Sequence, residues 1–574
     1  MEKQGTAKML EEIGVLLELK GENPFKSRAY YSAARTVELM GEEELKRLVT
    51  EDQLKDVKGI GAALNEKLKE LVLTGALPYY DELKGSVPEG LLEMLKVPGL
   101  GPRKVRDLYE MLKISSLAEL EYACRENRLV GLKGFGPKTQ ENILEGIDFL
   151  RRYEGRFFFS EAYQAAGLLL KELKKRPLYD QLSLAGSIRR CKEIVKDIDL
   201  VASAVKPADL IANFSGLEQV EEVMAKGDTK AAVRLQGGIN ADLRVVKPEE
   251  FPFALHHFTG SKEHNTAMRH RARARGLKIN EYGIFKNSES LKCNSESEFF
   301  NILGLDYIEP ELRENYGEIE AAESGTLPDL VELSDIKGIF HVHTDYSDGA
   351  NTLEEVVNYC RESGYKYVGI TDHSQSAFYA GGLSRDDLVR QAEEISTLRE
   401  KYPEVGILHG VESDIRSDGS LDYDDQTLEK LDFVIASVHS GLRMEYTKMT
   451  ERLLEALKHP LVTMLGHPTN RLLLGRDSSA FNLEKIFQAA FENGVILELN
   501  ASSARLDLDW RHLKKVKAMG LVVSINPDAH RLESFNDTAQ GVAMARKGWL
   551  EKEDIFNTRS RQAVEAFLKS RLSN

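Results

Sequence analysis

Cysteine is scarce. Cys124, Cys191, Cys293 and Cys360 are the four in 574 residues, and none stands in a C-x-x-C spacing. That excludes a disulfide framework and points to a reducing compartment, read here as the cytoplasm. No run is apolar for the roughly 20 residues that a membrane crossing needs. No charged-then-apolar leader opens the chain, so no membrane role is expected. An excess of positive charge is also missing. Lys and Arg number 77 against 92 Asp and Glu, a formal net charge of −15. Residues up to 325 carry about −5 of this and the remainder about −10. A nucleic-acid binder with this balance must use local basic patches, and Arg269, Arg271, Arg273, Arg275 and Lys278 form one. What is present, 42% hydrophobic and 29% charged residues, is ordinary for a globular chain with ample core. The length allows about three to five domains.

The stretch Gly186 to Val201, GSIRRCKEIVKDIDLV, organises the rest. In a strand, residues two apart face the same way, so Asp197 and Asp199 project together while Ile198 packs behind them. Two adjacent carboxylates repel unless a cation lies between them, which reads as a divalent-metal site. Upstream, Gly186 permits close backbone approach, Ser187 offers a hydroxyl and Arg190 a fork of donors, together a grip for a triphosphate. Asp242, a single acid inside the strand-like NADLRVV, would complete a two-metal centre. D-x-D alone is more often a solvated strand edge; its combination with G-S upstream and a lone strand Asp downstream makes it a site. Around it, KELKKRPLYDQLSLAGS reads as a helix feeding a strand, and VEEVMAKGDTKAAVRL as helix, turn and strand.

The N-terminal 150 residues read as short helices with an internal repeat. VKGIGAALNEKL, VPGLGPRKVRDL and LKGFGPKTQENI each set an apolar residue between two glycines and then start a helix. The pairs are Gly59 and Gly61, Gly99 and Gly101, Gly134 and Gly136. Glycine frees the backbone to turn N–H groups at the helix start toward a phosphate. One copy would be a plain helical corner; three argue for gripping a nucleic-acid backbone without reading its sequence.

Residues 318–337, acidic and irregular, read as an interdomain linker with a short helical turn. Beyond them, short apolar strands alternate with helical segments: YVGITD, VGILHGVE, FVIASVH, VTMLGH, GVILELN and LVVSIN. That is βα repetition around a parallel, barrel-like sheet. Nine of the 13 histidines fall here. His341, His343, Asp348, His373, Glu412, His439, His467, Asp528 and His530 cluster at strand ends, where α/β barrels build active sites. Imidazole with carboxylate suits zinc, manganese or iron, and nine ligands suggest more than one ion. His409, His459 and His512 stand outside such strand ends and read as packing residues.

These motifs carry resemblances over nearly the whole chain. The Gly186–Val201 stretch resembles the nucleotidyltransferase palm of family X DNA polymerases, the family of DNA polymerase beta. The glycine repeats resemble helix-hairpin-helix motifs. HHFTGSKEHNTAMRHRARARGLKINEYGIF resembles that family's nucleotide-binding and thumb segment. FHVHTDYSDG, GITDHS, GVESD, SVHS, GHP and PDAH resemble the polymerase-and-histidinol-phosphatase (PHP) domain.

The resemblance implies a lyase-like helical domain over 1–75, a fingers-like domain over 76–150 and a palm over 151–255. It continues with a thumb over 256–317, a linker over 318–337 and a PHP domain over 338–574. It implies Asp197, Asp199 and Asp242 as catalytic ligands of Mg²⁺ or Mn²⁺. Phe258, Gly260 and Asn265 would contact the incoming nucleotide, and Arg269 the template. It implies a PHP centre of Mn²⁺, Zn²⁺ or Fe with 3′–5′ exonuclease activity, and leaves abasic-site endonuclease and 3′-phosphatase activity open. The substrates would be gapped or nicked DNA and deoxynucleoside triphosphates, the setting base-excision repair, and the chain a monomer. Lys67 falls eight residues after Gly59, on a Schiff-base lysine of the beta enzyme, and Lys26 on a 5′-phosphate-binding one. Departures stand at Ala63, Lys196, Asn240, His257 and Lys262, where the beta enzyme has Lys, Gly, Arg, Tyr and Asp; they leave sugar discrimination and fidelity open. Two alternatives stay open as well: a phosphoesterase whose palm only positions DNA, and a polymerase braced by a structural, metal-bound PHP domain.

Overall fold

A computed structural model describes residues 3–572 apart from 52, 58–59, 127, 130–131, 154 and 288. Residues 1–154 and 155–574 form two compact units. The first is helical throughout its described residues. Its repeats start the helices α1 (Ala62–Thr74), α2 (Pro102–Leu112) and α3 (Pro137–Tyr153). The same hydrogen bond recurs in each repeat: Ile60, Leu100 and Phe135 donate their N–H to the carbonyls of Val57, Val97 and Leu132. The apolar residue between the glycines is thereby buried in the helical core. Pro follows the last glycine in the second and third copies, where its fixed φ suits a first helical position. Gly59 lies outside the described residues.

In the second unit a helix over Phe159–Lys175 leads into a five-stranded sheet. Its strands are β1 (Gln181–Leu184), β2 (Asp197–Ser203), β3 (Val220–Lys226), β4 (Lys230–Leu235) and β5 (Asn240–Val246), in the order β1-β2-β5-β4-β3. The short helix α4 (Gly186–Arg189) connects β1 toward β2. β2 and β5 are parallel, and the other neighbours are antiparallel. Residues 220–226 are a strand, not the helix that the spacing of Val220, Val223 and Met224 suggested. Pairing with β4 across the turn at Gly227 and Asp228 overrides that local period.

The helices α5 (Phe251–Thr259), α6 (Lys262–Ala274) and α7 (Glu318–Ser324) frame the next region with a three-stranded sheet over 278–291. α7 lies where the sequence reads as a short helical turn within the 318–337 linker, and it is packed rather than free. Ile319, Ala321 and Ala322 pack with Phe299, Phe300 and Ile308, and Glu318 is fully buried on His264 at 2.6 Å. The acidic composition hid this, because that carboxylate is answered inside the fold by the imidazole and two backbone N–H groups.

Seven parallel strands follow in sequential order: β6 (Gly338–Val342), β7 (Tyr367–Ile370), β8 (Gly406–Asp414), β9 (Phe433–Ser437), β10 (Met464–Leu465), β11 (Ile496–Asn500) and β12 (Val523–Asn526). All are buried on both faces, as parallel strands covered by helices are. The helices packed around them include α8 (Trp510–Ala518) and α9 (Thr538–Lys547). A parallel bridge from Val342 to Ala529 nearly closes the barrel, with His343 N–H donating to the Ala529 carbonyl at 2.9 Å. Among the described residues no helix is long and apolar enough to cross a membrane.

Candidate active sites

The first site grows from strand register. Asp197 and Asp199 lie on one face of β2, and Asp199 pairs with Asp242 on β5, so three carboxylates converge. Burial pushes Asp199 up to about 7, with Asp197 and Asp242 adding repulsion, while Arg190 and Lys230 pull the other way. Burial and then Asp242 raise Asp197 as well. The ionised form of Asp199 therefore carries a cost near neutral pH without a cation. A divalent ion removes that cost, so the donor set fits Mg²⁺ or Mn²⁺.

Gly186, at φ +61°, has its backbone against Asp199; a Cβ there would stand 1.8 Å from Oδ2. Glycine is thus required by the carboxylate itself. Ser187 is half-buried beside it. Arg190 departs from the reading as a free fork: Nε donates to Glu314 Oε1 at 3.0 Å and Nη1 to the Thr259 carbonyl at 2.7 Å. Asn265 donates to the carbonyls of His257 (2.7 Å) and Gly260 (3.1 Å), tying α6 to the end of α5. Phe258 carries the Arg244 guanidinium 4.7 Å from its ring. The basic run is partly consumed: Arg271 and Arg275 both reach Glu323, whereas Arg273 and Lys278 are exposed and Arg269 is half-buried.

The second site occupies one end of the barrel, where all nine expected ligands meet in four overlapping groups. These are His343, Asp348, His373 and His530; His341, Glu412 and His467; His341, His343 and Asp528; and His373, Glu412 and His439. His341 (φ +59°), His467 (φ +25°) and Asp528 (φ +53°) hold left-handed backbone, strain that a fold tolerates where a side chain must be aimed. His343 is buried and neither ring nitrogen makes a hydrogen bond. Carboxylate oxygens stand 3.3–3.7 Å away. Burial, then His530 and His373, push its pKa down to about 3, so the ring is neutral. A neutral imidazole with unbonded nitrogens, facing carboxylates, fits a transition-metal ion. His409 is buried outside this cluster, and His459 and His512 are half-buried elsewhere.

Sequence reading missed the carboxylates behind the ligands. Glu498 accepts from His341 Nδ1 at 2.6 Å and from the His467 N–H at 2.6 Å, and Asp414 holds His439 Nδ1. Asp372 is fully buried and takes bonds from Thr344, Ser347 and Gln391, fixing the turn that carries Asp348. Such partners orient a ligand and set its basicity. Glu498 carried the signal that marked Asp242, a lone acid in an apolar strand, and could have been found by it.

In the N-terminal unit, Gly99 (φ +85°) and Gly134 (φ +91°) need left-handed backbone. Gly61, Gly101 and Gly136 do not, and a Cβ on any of them would meet nothing within 4 Å. The fold itself makes no demand for glycine there. Lys67 is half-buried, its amine 2.8 Å from the Tyr30 hydroxyl and 3.3 Å from the Tyr79 ring centroid. Burial, then Lys26, lowers its pKa. Lys26 is exposed and 3.5 Å from Glu22.

A strand-borne carboxylate trio joined to a histidine-rich parallel barrel defines the class: a nucleotidyltransferase fused to a metal-dependent phosphoesterase. Family descriptions match along the chain: helix-hairpin-helix domain over 1–77, SAM-like helix-hairpin-helix tandem over 91–148, DNA polymerase beta thumb over 254–314 and PHP domain over 340–502. The DNA polymerase/3′-5′ exonuclease PolX of Bacillus subtilis (strain 168) is 39% identical over 573 residues, covering 99% of this chain and 100% of that one. A probable phosphatase of Thermoanaerobacter sp. (strain X514) is 28% identical over 235 residues, 38% of this chain and 89% of that one. The chain belongs to the PolX family of family X DNA polymerases that carry a PHP domain.

Proposed function

We propose that this chain fills short gaps in duplex DNA by templated nucleotide addition and trims 3′ ends with its C-terminal barrel, in base-excision repair. The observation that carries the reading is the pairing of Asp199 with Asp242 on parallel strands, with Asp197 on the same face. These three would hold Mg²⁺ or Mn²⁺, which when bound activates the primer 3′-hydroxyl and steadies the triphosphate and leaving pyrophosphate. Gly186 and Ser187 present the phosphate-facing turn, and Arg190 directs its charge toward Asp199. Phe258, Gly260 and Asn265 shape the nucleotide side, and Arg269 the template side. In the barrel the nine ligands would hold Mn²⁺, Zn²⁺ or Fe, which supplies the nucleophile and stabilises charge on the phosphodiester. Gapped DNA incubated with Mg²⁺ or Mn²⁺, with and without nucleotides, tests the whole reading. Extension with nucleotides and 3′–5′ degradation without them are expected. Degradation alone would leave a palm that only positions DNA; extension alone would leave a barrel that only braces the palm.

The open glycines at 61, 101 and 136 leave room for something outside the chain, and a DNA phosphate fits. Several such contacts on an acidic chain predict a steep salt dependence, a log–log slope of about −0.9 for each phosphate neutralised. Gly99→Val places a β-branched residue at φ +85° and should weaken binding to all duplex sequences alike. A filter-binding series in which the loss depends on sequence would contradict backbone recognition.

Lys67 supports a weak 5′-deoxyribose-phosphate lyase. A Schiff-base lysine must be deprotonated, and burial with Lys26 nearby shifts Lys67 that way. The Tyr79 ring face opposes this by favouring the cation. Borohydride trapping on incised abasic DNA should therefore be slight near pH 7, rise toward pH 9 as the amine loses its proton, and vanish in Lys67→Ala. Efficient trapping that survives the substitution would place the nucleophile elsewhere.

A further inference from the structure

The palm turn from Arg190 to Glu193 joins the phosphate-facing helix α4 to the carboxylate strand β2. It is held by the barrel domain from two sides. Lys547, the last residue of α9, is 1% exposed. Its Nζ donates to the Arg190 carbonyl at 2.9 Å, the Glu311 carbonyl at 3.1 Å and Glu314 Oε1 at 2.6 Å. The Trp510 ring lies 4.6 Å from the amine. Three residues on, Glu193 accepts from Trp510 Nε1 at 3.2 Å and from Arg511 Nη1 at 2.7 Å.

Burying an ammonium costs several kcal/mol even when it is paired, and well-packed apolar residues usually do the structural work as well or better. A cation kept at this spot needs an electrostatic reason. Glu314 supplies it. The same Oε1 accepts from Arg190 Nε at 3.0 Å, so one carboxylate stands between two cations. Arg190 with Glu314 alone would be neutral overall. With Lys547 the trio carries one net positive charge, and Arg190, whose N–H donates to the Gly186 carbonyl, ends the turn that abuts Asp199. A triphosphate at the Gly186–Ser187 turn then meets a net cation rather than a cancelled pair.

We infer that Lys547 of the barrel domain is a positioning residue for nucleotide binding in the palm, neutralising Glu314 so that Arg190 keeps its charge for the triphosphate. The inference rests on the reading of Asp197, Asp199 and Asp242 as the extension site. It makes the phosphoesterase domain an electrostatic part of the polymerase, although the two sites share no ligand.

The test is steady-state extension on gapped DNA with the full chain, beside 3′–5′ degradation by the same preparations. Lys547→Met should raise the KM for nucleotides about tenfold, with a smaller change in kcat, and leave degradation within about twofold. Adding Glu314→Gln to it restores the net charge of the trio and should bring KM back toward wild type. Glu314→Gln alone adds charge and should not raise KM; this variant carries the test if Lys547→Met does not fold. The inference is overturned by a wild-type KM in folded Lys547→Met, by parallel loss of degradation, by a double variant no better than the single, or by Glu314→Gln raising KM. Asp199→Ala is the control. If it extends DNA normally, the reading of the palm site has failed, whatever Lys547 does.

Discussion

Alanine at Asp199 is expected to abolish templated extension and spare 3′–5′ degradation, and alanine at His343 to do the reverse. Asp199 is the most enclosed of the palm carboxylates, pushed up to about 7 by burial and its two neighbours. Removing it takes away the group against which the Gly186 backbone is built and, on the proposed reading, a metal ligand worth several kcal/mol of transition-state stabilisation. Extension should fall by about three orders of magnitude or more. His343 stands at the junction of two ligand groups, 3.3 Å from Asp528 and 3.7 Å from both Asp348 and Glu412. No residue belongs to both centres. The Lys547 contact does not join their ligands, so these substitutions should separate the activities cleanly. Gapped-duplex extension and single-strand degradation, measured on the same folded variants, are the check; equal loss of both in either variant would contradict two independent sites.

The polar geometry was legible wherever it follows from strand periodicity. Asp197 and Asp199 share a face because side chains alternate along a strand. The strand-end histidines converge because parallel βα repetition puts all such ends on one side. What stayed hidden depends on partners far along the chain. Val220–Lys226 carries a helical spacing and becomes a strand only because Lys230–Leu235 pairs with it. Glu318 looks like linker acid until His264, 54 residues away, is brought against it. Arg190 looks like a free donor until Glu314, 124 residues on, takes its Nε. Lys547 gave no local sign at all: a lysine at the end of an amphipathic helix is ordinarily solvated, and its burial exists only because the barrel domain packs on the palm turn.

Glu412→Ala is expected to strip metal from the barrel and cut degradation by about a thousandfold, with extension within about threefold of wild type. Glu412 is 1% exposed, and five imidazoles surround its carboxylate. Its oxygens lie 3.3 Å from His341, 3.7 Å from His343, 2.9 Å from His373, 3.1 Å from His439 and 3.0 Å from His467. It belongs to two of the four ligand groups, one through His341 and His467 and one through His373 and His439. A single anion shared this way would offset the charge of more than one ion, and no neighbouring carboxylate can replace it in both groups. Asp528 serves the group of His341 and His343, Asp348 the group of His343, His373 and His530, and Glu498 and Asp414 are turned to the far nitrogens of His341 and His439. Elemental analysis of gel-filtered protein should show bound metal falling in Glu412→Ala and also in Glu412→Gln, which keeps the shape but not the charge. In Asp199→Ala the metal content of the barrel should stay at the wild-type level. Wild-type metal content with wild-type degradation in Glu412→Ala would mean that this carboxylate, for all its burial, is not a ligand.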